Sequence, residues 1–352
     1  MKKVSIIGHF GFGKNLLNGQ TIKTKIVADE LERIYGKEQV NRYDTHGGWK
    51  FFLKMPFVLL KALASGKSVI MLPAYKGVRI MTPLLYIFNK LFHRQLLYIT
   101  IGGWLPTMLK SEKMFRNILK TWDCILVETH TMLEDLQLMG FQNVIVMPNC
   151  KRLNIVDTST YKEPEMPLRL CTFSRVMKEK GIEDAVEAVN LCNKAMGQTA
   201  YTLDIYGQVE HGQKEWFEHL VSQFPQYIKY RGSISYEKST YVLKDYFALL
   251  FPTFYQGEGL AGTIIDAFAA GLPVITTNWH DNTHIVKENH TGFIIPIHSP
   301  REICKILENL AEYPSSIQSM RTECTVEAQK YQPEVVIQTV VKLIDDYQLS
   351  SR

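Results

Sequence analysis

The chain has 352 residues, 46% of them apolar, and a formal net charge of +5; that is enough apolar material for proper cores and excludes a disordered chain. The length suits two domains better than one. No run of about 18 apolar residues is free of charge, the best candidate being cut by Lys61, so no transmembrane helix is expected. The sum hides an asymmetry, because residues 1–150 hold 20 Lys+Arg against 10 Asp+Glu and residues 151–352 hold 20 against 25.

The chain opens on MKKVSIIGHFGFGK, a first strand running into a glycine-rich loop and too short in its apolar part for a signal peptide. Gly8, Gly11 and Gly13 give the dinucleotide fingerprint in the wrong order, and no acid is expected at the end of a second strand about twenty residues on. GHFGFGKN approaches a P-loop but ends in Asn15, so the hydroxyl that holds magnesium is missing. A flexible loop leading to Asn18 as N-cap, with Gly19 opening a helix, fits better. His9 lies in that loop, as a packed histidine or as a group that approaches a ligand.

Strand-like runs then follow at 4–8, 68–73, 96–101, 124–128 and 144–148, with helical stretches between. That alternation predicts a doubly wound parallel sheet. Residues 45–120 carry 12 basic residues to one acid, Glu112, with aromatics interleaved. Such stripes suit an anionic membrane surface or nucleic acid, or are solvated helix faces. The six cysteines are scattered without a Cys-x-x-Cys pair and read as buried hydrophobes of a reducing cytoplasm. The segment around 155–166 is polar, contains Pro164, and lacks periodicity; it reads as the linker.

The same grammar restarts at 168–173, 202–207, 228–232, 247–252, 273–277 and 292–296. After the first of these strands, Arg175 and Lys180 bracket a loop, one offering a planar fork and the other a point charge for a diphosphate. The richest stretch is FPTFYQGEGLAGTIIDAFAAGLPVITTN, 251–278. A buried strand leads through a glycine-rich turn into a helix at Thr263–Ala270, whose N-terminal amides favour an anion. Glu258 in that turn would repel bare phosphate and suits sugar hydroxyls; Asp266 lies about two helical turns on. Beyond Pro333 a last helix follows a breaker.

With SRVMKEKG and GEGLAGTIIDAFAAGLPVI in hand, the chain resembles glycosyltransferase family 4, retaining enzymes of the GT-B architecture, and the resemblance covers most of the chain. It implies an α/β fold of two Rossmann-like domains facing across a cleft: an acceptor-binding domain at 1–157, a nucleotide-sugar-binding domain at 166–330, and a C-terminal helix, 331–352, crossing back to the first. It also implies roles. Glu258 contacts donor-sugar hydroxyls, with Gly259 in the same turn. The amides of Leu260 and Ala261 meet the diphosphate, and Asp266 holds the ribose. Arg175 and Lys180 are the diphosphate cations, Arg231, Gly232 and Ser233 the base-holding turn, and Gly19 a close backbone approach to phosphate. Two departures stand out. Asp266 is one methylene shorter than the family's usual Glu, and Gly102 and Gly103 stand where many members carry a His.

The implied reaction is transfer of a sugar from a nucleotide diphosphate sugar, most simply a UDP-sugar, to a glycan hydroxyl. No cofactor and no metal are expected, since neither an Asp-x-Asp nor a His-rich ligand set appears in a suitable loop. The basic first half points to a lipid-linked acceptor of surface polysaccharide assembly and a cytoplasmic protein docked on the inner membrane face. The alternatives are a 2-epimerase of the same architecture, against which the Glu258–Asp266 motif speaks, and a basic nucleic-acid module, which rests on charge alone.

Overall fold

The computed structural model describes residues 1–13, 19–47, 49–73, 75–161, 163–235 and 238–350. The chain divides into two compact units, Met1–Arg152 with Tyr331–Arg352, and Leu153–Lys330. Asn18, expected as a helix cap, lies outside the described residues.

Unit 1 is built on six strands: β1 (Lys2–Gly8), β2 (Val40–Asp44), β3 (Gly66–Leu72), β4 (Gln95–Ile99), β5 (Cys124–Val127) and β6 (Val144–Val146). They form one parallel sheet in the order β2-β1-β3-β4-β5-β6. The central strands are mostly apolar and largely buried, as in a parallel sheet covered on both faces. β2 is the element that periodicity misses. Its sequence VNRYD is half-exposed at four of five positions, because an edge strand pairs on one side only and keeps polar side chains. It ends in Asp44, so an acid does close a second strand, but farther along the chain than the spacing of about twenty residues, which falls within the helix Gly19–Tyr35. The tail returns to this unit: Val336, Val340 and Ile344 are buried with Val4, Leu31 and Leu97, and Gln95 Nε2 donates to the Leu343 carbonyl at 2.9 Å.

Unit 2 repeats the plan with β7 (Leu168–Phe173), β8 (Tyr201–Tyr206), β9 (Ile228–Gly232), β10 (Ala248–Phe251), β11 (Val274–Thr277) and β12 (Gly292–Ile295). The order is β12-β11-β10-β7-β8-β9, again all parallel. All six runs read from the sequence are strands here. The order reverses next to β7, and at such a switch point loops on either side diverge and leave a crevice at the carboxyl edge. The expected linker is not a free tether at its start. Val156 N–H donates to the Ala269 carbonyl at 2.9 Å, and the Tyr161 hydroxyl donates to the Ala270 carbonyl, so this segment packs on unit 2.

Candidate active site

At the carboxyl edge of unit 2 the loops after β7 and β8 are zipped together. Val176 N–H donates to the Gln208 carbonyl at 2.9 Å, and Glu210 N–H donates to the Val176 carbonyl at 3.0 Å. The approach is so close that a Cβ on Gly207 would lie 1.7 Å from the Ser174 carbonyl oxygen, so only glycine fits. This fixes Arg175 beside Glu210, with 2.8 Å between Nη1 and Oε2 and both side chains substantially exposed. Hydrogen bonding to the Tyr255 side chain, with the charge of Glu210, raises the Arg175 pKa further above its ordinary value.

Lys180 ends a short turn, Lys178–Lys180, and the helix Ile182–Ala195 starts from Gly181 at φ 70°. A Cβ at Gly181 would lie 2.1 Å from the Pro252 carbonyl oxygen, which is how the turn comes to lie against the end of β10. The Lys180 ammonium forms an ion pair with Glu258, the two side chains being only 7% and 10% exposed. Thr253 Oγ1 donates to the same carboxylate oxygen at 3.0 Å. The helix Gly262–Ala269 begins just beyond, after Ala261, and is held because Thr263 Oγ1 donates to the Phe173 carbonyl. A cavity of about 280 Å3 is lined by Arg175, Lys180, Tyr255, Glu258, Ala261 and Thr263. Two cations, one carboxylate and a helix N-terminus therefore share one polar recess. Such a group of charges can stabilise a polyanion and accept hydroxyls side by side.

Residues 167–312 match the family model of glycosyl transferases group 1. The matched stretch lies within unit 2. Among curated relatives, the amylovoran biosynthesis glycosyltransferase AmsK of Erwinia amylovora is 23% identical over 49% of this chain and 46% of its own length. The GtfA subunit of the UDP-N-acetylglucosamine–peptide N-acetylglucosaminyltransferase of Streptococcus pneumoniae is 26% identical over 44% of this chain and 29% of its own. The chain spans less than half the length of both relatives. Among solved structures, HepE of Anabaena in complex with UDP aligns over 100% of both chains with a TM-score of 0.69 at 13% identity. That likeness shows the GT-B fold.

In unit 2 a second cavity, of about 1080 Å3, is lined by Arg175, Glu210, Phe217, Tyr230 and Ser233 among others. Arg175 is thus common to both recesses. The turn Arg231–Gly232–Ser233 is divided. Ser233 lines the cavity, Gly232 takes φ 76°, and its carbonyl accepts from Gly207 N–H at 2.9 Å. Arg231 turns instead to the buried Asp204, Nε to Oδ1 at 2.7 Å. Asp266 is buried at 7% exposure, and neither it nor Gly259 nor Leu260 lines either cavity. A further cavity of about 600 Å3, next to Arg169, Tyr246 and Arg321, lies at the amino ends of β7 and β10, away from this edge.

In unit 1 the glycine-rich loop is anchored by Asp44. Its Oδ1 accepts from the amides of Phe10 at 2.8 Å, Gly11 at 3.2 Å and His46 at 2.9 Å, and its Oδ2 accepts from Phe12 at 2.8 Å. Burial pushes the Asp44 pKa up, but these four amides outweigh it and the net shift is downward. His9 bonds through Nδ1 to Thr21 Oγ1 at 2.7 Å and through Nε2 to His46 Nδ1 at 3.0 Å. Burial, then the neighbouring His46, lowers its pKa below 6.5, which favours the neutral ring. Gly19 opens the helix Gly19–Tyr35. Gly102, at φ 81°, and Gly103 form the turn after β4, where Trp104 Nε1 donates to the Ile101 carbonyl at 2.7 Å. Sequence reasoning missed Asp44, His46 and Glu210. It also missed Lys23, whose buried ammonium reaches Glu128 Oε1 at 2.6 Å and the Thr100 carbonyl at 2.9 Å.

Proposed function

We propose that this protein is a glycosyltransferase that moves a sugar from a UDP-sugar to a hydroxyl of a glycan acceptor, with retention at the anomeric carbon and without a metal. The observation that carries the reading is the recess where Arg175, Lys180 and Glu258 meet the N-terminus of the helix Gly262–Ala269. As the bond from sugar to phosphate breaks, negative charge grows on the diphosphate and positive charge on the ring. Arg175, Lys180 and the helix amides are fixed donors for the first of these charges, and an interaction that strengthens as charge develops accelerates the step. Glu258, within reach of the same space, accepts donor-sugar hydroxyls. The larger cavity has an apolar side at Val209, Phe217 and Tyr230, which suits a planar base. The bound UDP of HepE favours a UDP donor, and the biosynthetic glycosyltransferase role named for AmsK supports a part in surface glycan assembly.

The acceptor is assigned to unit 1, carried on a lipid. The helix Trp49–Ser65 exposes Leu53 and Phe57 beside Lys54 and Lys61, and the helix Tyr75–Phe92 exposes Ile87 and Leu91 beside Lys90. Apolar side chains interleaved with cations suit an anionic bilayer surface, on which the protein sits at the cytoplasmic side. No helix among the described residues is long and apolar enough to cross a membrane.

A thermal-shift screen across UDP-, GDP- and ADP-sugars, repeated with EDTA, tests the donor assignment. UDP-sugars should raise the Tm and the others should not, with EDTA making no difference. Stabilisation by none of the three classes would remove the reading.

A further inference from the structure

One side chain of the smaller recess touches both of its cations. The Lys180 ammonium lies over the Tyr255 ring, 5.0 Å from the ring centroid, and the Arg175 guanidinium carbon lies over the same ring at 5.4 Å. The Tyr255 side chain also hydrogen-bonds to Arg175. A second ring, Phe251, stands 5.2 Å from the Lys180 ammonium. The backbone under Tyr255 is held by three hydrogen bonds. Its carbonyl accepts from the Trp279 indole Nε1 at 2.8 Å and from Glu258 N–H at 3.0 Å, and its own N–H donates to Thr253 Oγ1 at 3.3 Å. Gly257 packs so closely on the ring that a Cβ there would lie 2.8 Å from the Tyr255 hydroxyl oxygen.

We propose that Tyr255 is a positioning residue that makes Arg175 and Lys180 a single clamp for a diphosphate, and that Gly257 leaves it the room to do so. The proposal rests on the nucleotide-sugar reading above. Its physical basis is the kind of partner that a ring is. Glu210 and Glu258 hold the same two cations, but each cancels charge that the ligand needs. An aromatic face attracts a cation through its quadrupole and carries no net charge of its own. Arg175 and Lys180 can therefore stay on Tyr255 while their N–H groups turn to phosphate oxygens, one as a planar fork and the other as a point charge. Two like charges in one small recess repel, and side chains this long lose rotamer freedom when a ligand fixes them. A ring common to both keeps them together before the ligand arrives, so less ordering is left for binding to accomplish. Without the ring each cation remains but falls back on its own carboxylate, and the two act separately.

Isothermal titration of UDP and UMP into wild type, Tyr255→Phe, Tyr255→Leu, Gly257→Ala, Arg175→Ala and the Tyr255→Leu/Arg175→Ala pair tests this. Wild type should bind UDP roughly 10-fold or more tightly than UMP, the worth of a further phosphate hydrogen-bonded to charged groups. Tyr255→Leu should weaken UDP by roughly 10-fold, and UMP, with one phosphate to offer two cations, by much less. Tyr255→Phe keeps the ring and should stay within about threefold of wild type. Gly257→Ala keeps every other side chain and displaces only the ring, so it should weaken UDP in the same sense; it decides the matter if the leucine variant fails to fold. In the paired variant the loss should be smaller than the product of the two single losses, the sign of a shared interaction. Leucine and alanine variants that bind UDP as wild type does, or single losses that simply multiply, overturn the clamp while leaving the donor reading intact. A phenylalanine variant as weak as the leucine one also overturns it, because the ring is then not the group that matters. Wild type that binds neither nucleotide removes both readings.

Discussion

The carboxyl edges of the two sheets hold similar materials and use them in opposite ways. In unit 1 a glycine-rich loop follows the first strand, and its amides are taken by Asp44 of the same unit. A bound phosphate would have to displace a carboxylate that already accepts four hydrogen bonds. In unit 2 the corresponding loop offers side-chain cations; opposite them Glu210 is held by one ion pair, and Glu258 by one ion pair and the Thr253 hydroxyl. The helix N-terminus at Gly262 adds amides without an acid of its own in the first turn. The comparison teaches that a glycine-rich turn after a strand is not by itself an anion site. What matters is whether the amides and cations are saturated from within by a multiply bonded partner or only balanced by one that a ligand can replace.

The sharpest way to break that comparison is to remove a balancing cation. Lys180→Ala deletes a donor to the leaving diphosphate and also leaves Glu258 buried without its partner. Turnover should fall by roughly 10³, the upper end for loss of one preorganised donor, with Arg175→Ala nearer 10² because its side chain is half-exposed. Steady-state rates with saturating UDP-sugar, measured on protein whose circular dichroism matches wild type, check this. If both variants stay within about twofold of wild type, the cations of unit 2 do no more chemistry than the saturated loop of unit 1.

Most of this was visible in the chain before folding, and the gaps have a common cause. The inner strands of unit 2, β8, β7, β10 and β11, announce themselves because each is a largely buried apolar run, whereas the edge strand β9 is exposed at three of its five positions. Arg175, Lys180 and Glu258 stand out because they follow such strands within a few residues. β2 is silent because an edge strand keeps polar side chains, and with β2 went Asp44, whose meaning depends on a loop 34 residues away. Glu210 was invisible for the same reason: its partner is 35 residues distant, and only the close packing of Gly207 brings the two loops together. The pairing of Lys180 with Glu258, 78 residues apart, shows the limit from the other side. Both residues were legible, but not that each neutralises the other before a ligand arrives.

The units also differ on their outer surfaces, unit 1 being basic with exposed apolar side chains, and this contrast can be sharpened with vesicles. In flotation with vesicles containing about 30% phosphatidylserine, the protein should be recovered with the lipid at low salt and largely lost at 0.5 M salt, each surface cation being worth about 1 kcal/mol. Phe57→Ser with Leu53→Ser should reduce recovery several-fold, since both side chains are more than two-thirds exposed, at 76% and 69%, and a fold defect is not expected. Equal recovery with neutral and anionic vesicles would remove the electrostatic part.

The smallest effect concerns the saturated loop itself. Asparagine at position 44 keeps one acceptor oxygen but turns an N–H₂ toward the Phe12 amide, so Asp44→Asn loses a hydrogen bond and the charge that strengthens the other three. A lowered folded-state pKa means that Asp44 stabilises the protein above the ordinary aspartate range near 3.8 and that this contribution disappears as the pH falls through the lower folded value. At pH 7 the substitution should therefore lower the Tm by roughly 4–8 °C, the consequence of losing about 2 kcal/mol in a domain of this size. Between pH 4 and pH 2 the gap should close, because wild type then protonates the same group. A gap that stays constant down to pH 2 would mean that Asp44 acts through shape alone, and the distinction drawn between a saturated loop and an exchangeable one would lose its electrostatic basis.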